Sequence, residues 1–299
     1  MGGLGRHYSG AEKGVVQGHD LFTGLYLLLG RRCPLAPRLY RQQAVCEREG
    51  VPFQSKVAMA VEAIGQFEPA ADTHTHVLVD SWYHCKRVRQ AAQQRKWDLS
   101  GGLKSNRKMR LLAADGRRQW PSLAEYAATL GPEDWAQALW PTQGGGHTLF
   151  VHAVRTWVCK LGPILVLITR LSLDDPLEQA RYWGTTLVDA EVQTAIDLLA
   201  LRWDVEVLFE DYKDLLGSDP YQLMSARAIV RFWTLIACLA YFWDEYRACL
   251  PEERGGSPAS RGDARRKLRA DHQMNLLLWL EAQFQSGLTA EQIYTRLYA

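Results

Sequence analysis

The chain has 299 residues, 47% of them hydrophobic and 11 of them Trp, which is material for one large or two ordinary packed domains and excludes a disordered chain. Its 35 basic and 33 acidic residues nearly cancel to +2, so net charge alone argues neither for nor against a polyanionic partner. Six scattered cysteines with no C-x-x-C pair exclude a disulfide framework and predict reduced thiols in a reducing compartment.

The opening "MGGLGRHYSG" lacks the pattern of a signal peptide, and Arg6 stands where a myristoylation motif needs Ser or Thr. Residues 15–29, "VVQGHDLFTGLYLLL", and "CPLAPRLY" after them are rich in strand formers with Gly and Pro punctuation, which predicts successive strands. "SKVAMAVEAIGQF", residues 55–67, has apolar residues at helical spacing. In "HVLVDSWY" the run Val77, Leu78, Val79 ends abruptly at Asp80, the pattern of a buried strand whose carboxyl end leaves the sheet; sites of open α/β sheets lie at such ends. His74 and His76 alternate onto one strand face and are read as polar strand residues.

Residues 84–97 form a basic helical pattern, and "DLSGGLKSNRKMRLLAA" reads as a strand running into a basic loop. Ser122 and Glu125 have capping-box spacing, and the β-rich runs "HTLFVHAVRTWVCKLG" and "PILVLITRLS" follow, so residues 111–172 read as a separate β-rich insert. From about Asp189 the pattern is helical through Leu216, stops at Gly217, and resumes in a Trp-rich helix over 224–247. A solvated linker, "PEERGGSPASRGDARR", and a short helical tail close the chain. The longest apolar stretches, "LFTGLYLLLG" and "FWTLIACLAYFW", fall short of the ~20 residues that cross a bilayer, which predicts a soluble chain with no membrane partner.

Two features carry chemistry. In "LALRWDVEVLFEDYK", residues 199–213, Arg202, Glu206 and Lys213 are spaced to project from one helix face, with Glu206 between two cations, while Asp204, Glu210 and Asp211 read as solvating residues. A strand-end Asp together with a helical Glu flanked by cations is what phosphoryl-transfer sites use, carboxylates for Mg²⁺ and cations for phosphate. No G-x-S-x-G, Walker loop or Cys–His motif is present, which removes the common hydrolase and nucleotide-binding signatures. An unrelated hydrolase using Asp80 and Glu206 as acid and base would leave the flanking cations without a purpose.

The R-(3)-E-(6)-K spacing followed by "LGSDPYQLMSARAIVRFWTLIACLAY" resembles the Y-R-E-K signature region of bacterial insertion-sequence transposases of the DDE class. "VLVDSWY" and "GGLKSNR" resemble that family's second-aspartate strand and the strand-loop that follows, and the likeness runs from about residue 4 to 246. The resemblance implies an α/β fold, a ribonuclease H-like mixed sheet with flanking helices. Its core would comprise residues 1–110 and 173–248, with the β-rich insertion at 111–172 and a linker and helical tail at 249–299. It implies Asp80 and Glu206 as catalytic metal-binding carboxylates holding Mg²⁺ or Mn²⁺ in a two-metal site. Arg202, Lys213, Lys104, Asn106 and Arg107 would face DNA, with double-stranded element ends and target as partners. A homodimer is compatible with it, and the location would be bacterial cytoplasm, at the nucleoid when bound to DNA.

Two departures bear on activity. Leu199 stands where the signature has Tyr, and the family's first catalytic Asp, expected upstream of a stretch resembling "GGLGRHYSG", has no counterpart; Asp20, the only aspartate before Asp72, sits in what resembles the second core strand. The expectation is an N-terminally truncated transposase with impaired strand cleavage and transfer, poorly stable alone; the alternative is a catalytically silent DNA-binding or assembly-interfering fragment.

Overall fold

The computed structural model describes residues 2–9, 13–112, 115–142, 145–218, 221–250 and 260–298. In chain order the strands are β1 Gly5–Ser9, β2 Gly14–Gly18, β3 Asp20–Phe22, β4 Leu25–Leu28, β5 Arg31–Pro34, β6 Arg38–Tyr40, β7 His76–Val79, β8 Asp98–Leu103, β9 Leu111–Leu112, β10 Arg118–Gln119, β11 Ala136–Thr142, β12 Gly145–Val158, β13 Gly162–Arg170 and β14 Arg181–Thr185. The helices are α1 Gln43–Glu49, α2 Lys56–Gln66, α3 Lys86–Gln94, α4 Leu123–Ala127, α5 Val192–Ala200, α6 Trp203–Asp214, α7 Ala226–Ala248, α8 Arg261–Gln285 and α9 Ala290–Tyr298. The chain divides into two compact units, Tyr40–Glu206 and Met1–Leu39 with Val207–Ala299.

The unit 40–206 is built on a six-stranded mixed sheet in the order β11-β12-β13-β14-β8-β7. β13 explains its solidity. "PILVLITR" is apolar at successive positions, so as a strand it must be covered on both faces: Ile164, Val166 and Ile168 pack with Leu103, Met109 and Leu123, while Leu165 and Leu167 pack with Trp183, Ile196 and Leu199. Each such fully buried aliphatic side chain contributes about 2 kcal/mol. α4 and α5 supply those covers, α4 starting in a complete capping box in which Ser122 Oγ accepts from the Glu125 N–H and Glu125 accepts from the Ser122 N–H. α2 starts at Ser55, whose hydroxyl accepts from the Ala58 N–H at 3.2 Å.

β7 and β8 pair in parallel, the remaining neighbours antiparallel, and α3 supplies the crossover that a parallel pair needs. The stretch 111–172 contributes β11, β12 and β13 to this sheet, and their ladder continues through β14 to β8. The mixed sheet and its flanking helices are compatible with a ribonuclease H-like fold of the DDE type.

The unit formed by residues 2–39 and 207–298 has no large sheet among its described residues. It contains the β1-β2 and β4-β5 hairpins and the helices α7, α8 and α9. Leu208, Tyr212, Ile236 and Ala240 form its apolar cluster, with Leu25 and Trp233 against it. Asp244 on α7 is buried and accepts from the Arg32 N–H at 2.9 Å and from Arg247 Nε at 3.2 Å, with Arg261 Nη2 at 3.7 Å. Asp211, read from sequence as a solvating residue, is instead ion-paired with Arg261.

Three further readings change. The single helix expected from Asp189 to Leu216 is two helices, α5 and α6, broken at Leu201–Arg202, although it does stop at Gly217, whose φ of +61° suits glycine. "FWTLIACLAYFW", expected to be too short for a bilayer, lies inside the 23-residue α7, which is long and apolar enough to cross one by length and composition. Flanking residues at both ends lengthen it; Ile236 and Ala240 pack in the apolar cluster and Asp244 is ion-paired with Arg247, while Leu235, Leu239 and Phe242 are exposed. The short tail is two helices, α8 being 25 residues and opening with a capping box at Ser260 and Asp263; residues 251–259 of the expected linker lie outside the described residues.

Candidate active site

β7 and β8 approach so closely that a Cβ on Gly101 would sit 2.1 Å from the Val79 carbonyl oxygen, so only glycine fits there. Their register, Val79 opposite Gly101, places Asp80 and the β8 carboxyl end side by side. Asp80 is exposed and holds a tight turn: Oδ1 accepts from the backbone N–H of Trp82 at 2.8 Å and of Tyr83 at 3.0 Å, and its carbonyl accepts from the His84 N–H. Oδ1 thus organises the turn, while Oδ2 has no protein partner among the described residues.

His84 closes that turn inside the protein. Its Nδ1–H donates to the Gly102 carbonyl at 3.2 Å, and Nε2 is buried without a partner. Burial pushes its pKa down to about 4, and Arg107 and Arg89 add to the lowering against the backbone bonds to Gly101 and Gly102, so the ring is neutral. Arg107 Nη2 donates to the His84 carbonyl at 2.8 Å, which ties the loop after β8 to the Asp80 turn. The start of α4 fixes the same loop, the Leu123 N–H donating to the Arg107 carbonyl and the Ala124 N–H to Ser105. Lys104 and Asn106 are thereby left exposed on an anchored turn.

A cleft of about 720 Å³ opens beside Asp80; Ser81, Ser105, Glu178, Arg181 and Arg202 also line it. Arg202 Nη1 is ion-paired with Glu206 Oε1 at 2.6 Å, so the pair forms across the break before α6, with Glu206 in that helix's first turn, where the helix dipole favours a carboxylate. Arg202 lines the cleft itself, whereas Glu206 is connected to it through Arg202. Lys213 is exposed in the last turn of α6 and belongs to the other unit. Asp20 also belongs to that unit and lies 3.4 Å from His7 Nδ1. Leu199 is fully buried on α5 with Ala195 and Ile196, an apolar site that gives a hydroxyl no role.

The sequence motifs did not single out Glu178, Arg181, Ser105 or His84. Glu178 and Arg181 reach the cleft only because β14 lies beside β8, a neighbour relation that no local pattern encodes. His74 donates to Asp98 at 2.8 Å, and His76 is hydrogen-bonded to Ser100 at 2.7 Å, at the opposite ends of β7 and β8 from Asp80. Among the described residues, no group of three or more His, Cys, Asp or Glu is placed to hold a metal ion. With Asp80 Oδ1 committed to two N–H groups and Glu206 to Arg202, the residues do not fit a complete two-metal centre.

No match to the chain was found among curated proteins. Residues 8–138 match the family described as DDE superfamily endonuclease, a stretch that includes Asp80, Lys104, Asn106 and Arg107. Endonucleases of this superfamily generally use divalent metals and act on DNA. With a strand-end carboxylate and an anchored basic turn at one cleft, the match supports a DDE-type transposase or endonuclease domain in this chain.

Proposed function

We propose that the protein is an insertion-sequence transposase of the DDE class whose strand cleavage and transfer are impaired, and which retains binding to double-stranded DNA at element ends and target. The observation that carries this reading is the Asp80 turn fastened beside the basic turn of β8 by Arg107, on one cleft that Arg202 also lines. Asp80 and Glu206 are its acidic pair. Lys104, Asn106 and Arg107, with Arg202 and Lys213, are its DNA-facing set; their cations neutralise phosphates, and Arg202 also orders Glu206. Impairment is read from the described residues, which offer no group of three carboxylate, His or Cys ligands that includes Asp80 and Glu206, while Asp20 is paired with His7. On the same reading, residues 111–172 are an insertion whose strands extend the core sheet outward from β14. The protein acts in the bacterial cytoplasm and at the nucleoid, and a homodimer is compatible with it.

Supercoiled plasmid and a labelled duplex test this reading together. The full chain binds duplex with an affinity that falls steeply with salt, and with Mg²⁺ or Mn²⁺ it gives at most slow nicking that Asp80→Asn and Glu206→Gln abolish. Efficient nicking would overturn the impaired activity, and absence of salt-dependent binding would overturn the DNA-acting assignment itself.

A further inference from the structure

Trp82 is 60% exposed, although an indole is among the side chains whose burial stabilises a fold most. Its placement is not accidental to the turn. The Trp82 N–H is held by Asp80 Oδ1, and the turn lies directly on β8, where a Cβ on Gly102 would come within 3.3 Å of the Ser81 nitrogen. The backbone is thus fixed while the ring is turned outward, next to the carboxylate. Lys104 Nζ stands 5.2 Å from the centre of that ring, on the turn that Arg107, Leu123 and Ala124 anchor. Acid, indole and ammonium therefore arise from two adjacent strand ends, and Asp80 lines one cleft together with Ser81 and Ser105, the chain neighbours of Trp82 and Lys104.

Resting on the DNA-acting reading above, we propose that Trp82 is a stacking platform for an unpaired nucleobase of the DNA substrate, with Lys104 holding the phosphate beside it. Stacking needs a base whose face is free, which a paired and stacked duplex does not offer, so the ligand class is a single-stranded or locally opened segment. An aromatic face accepts any base, so this contact distinguishes DNA structure and not DNA sequence. The ammonium at one face of the indole leaves the other for the base, and its charge neutralises the phosphate that the stacked nucleotide brings. Asp80, two residues before the platform, then lies next to the backbone of the nucleotide that is held.

Fluorescence anisotropy of the full chain with a blunt duplex and with the same duplex carrying a single-stranded overhang tests this. The wild type binds the overhang form about tenfold more tightly. Trp82→Leu, which keeps apolar volume without the ring, brings the overhang affinity down to that of the blunt duplex, and Trp82→Phe retains most of the preference. Lys104→Ala weakens binding and lowers the salt slope by about one phosphate contact. Equal wild-type affinity for the two DNAs, or an equal loss for both in Trp82→Leu, overturns the stacking role and leaves the DNA-acting reading standing. Failure of the wild type to bind either DNA removes that reading and the stacking role with it.

Discussion

The two units solve the problem of an interior by different chemistry. In 40–206 the centre is a strand that is apolar on both faces, and the buried ring of His84 is kept neutral. In 2–39 with 207–298, the helix that carries the interior also buries an aspartate among arginines, of which Arg32 lies far away in sequence. An apolar interior tolerates small rearrangements at modest cost, whereas a buried ionised group stabilises only while every partner stays in place. The second unit is therefore the one that a single charge change should break.

Asp244→Ala gives the largest expected effect: it removes the buried carboxylate that Arg32, Arg247 and Arg261 share, which costs roughly 3–5 kcal/mol. Urea denaturation followed by far-ultraviolet circular dichroism measures it, and a loss below about 1 kcal/mol would show that the arginines find water instead.

His84 gives the next effect and sharpens the contrast, because there the cost lies in gaining charge. Its folded pKa, about 4, is below the ordinary 6.5, so the unfolded chain takes up the proton first as pH falls. The stability that neutral His84 contributes is fully present above pH 6.5 and is lost between 6.5 and about 4, by about 3 kcal/mol in all. His84→Gln, whose amide can still donate to the Gly102 carbonyl, should flatten the curve over that window. Parallel wild-type and variant curves would remove His84 as the cause. His76, whose pKa burial also lowers, cancels in that comparison.

The smallest effect is local. Ser122→Ala removes one half of the capping box of α4 and should cost about 1 kcal/mol in a thermal melt, and no change would mean that packing of Leu123 alone holds the helix start.

Legibility in the sequence follows the same division. "PILVLITR", the strand end at Asp80, the capping box and the stop at Gly217 were all readable because each is a local pattern with one physical meaning. The break at Leu201–Arg202 was not, since neither Gly nor Pro marks it and the apolar period continues through it. Strand partnership was not either: β12 and β13 look alike whether they close on themselves or join β14 and β8. The burial of Asp244 was not legible either, because the Arg32 that meets it is in a distant hairpin. At the site, Asp80 and Lys104 were legible as strand-end residues, whereas Arg181 and Glu178 depended on that unreadable strand order.

Arg107 draws together what the two turns mean for a ligand. By donating to the His84 carbonyl it makes the Asp80 turn and the Lys104 turn one body, and Gly101 holds the strands beneath them at a single spacing. Neither carboxylate nor ammonium needs a new backbone conformation when a substrate arrives. The entropy of arranging them is lost when the chain folds and not at encounter, so binding here should carry little reorganisation penalty. Weak binding would then report poor chemical complementarity, not an unformed site.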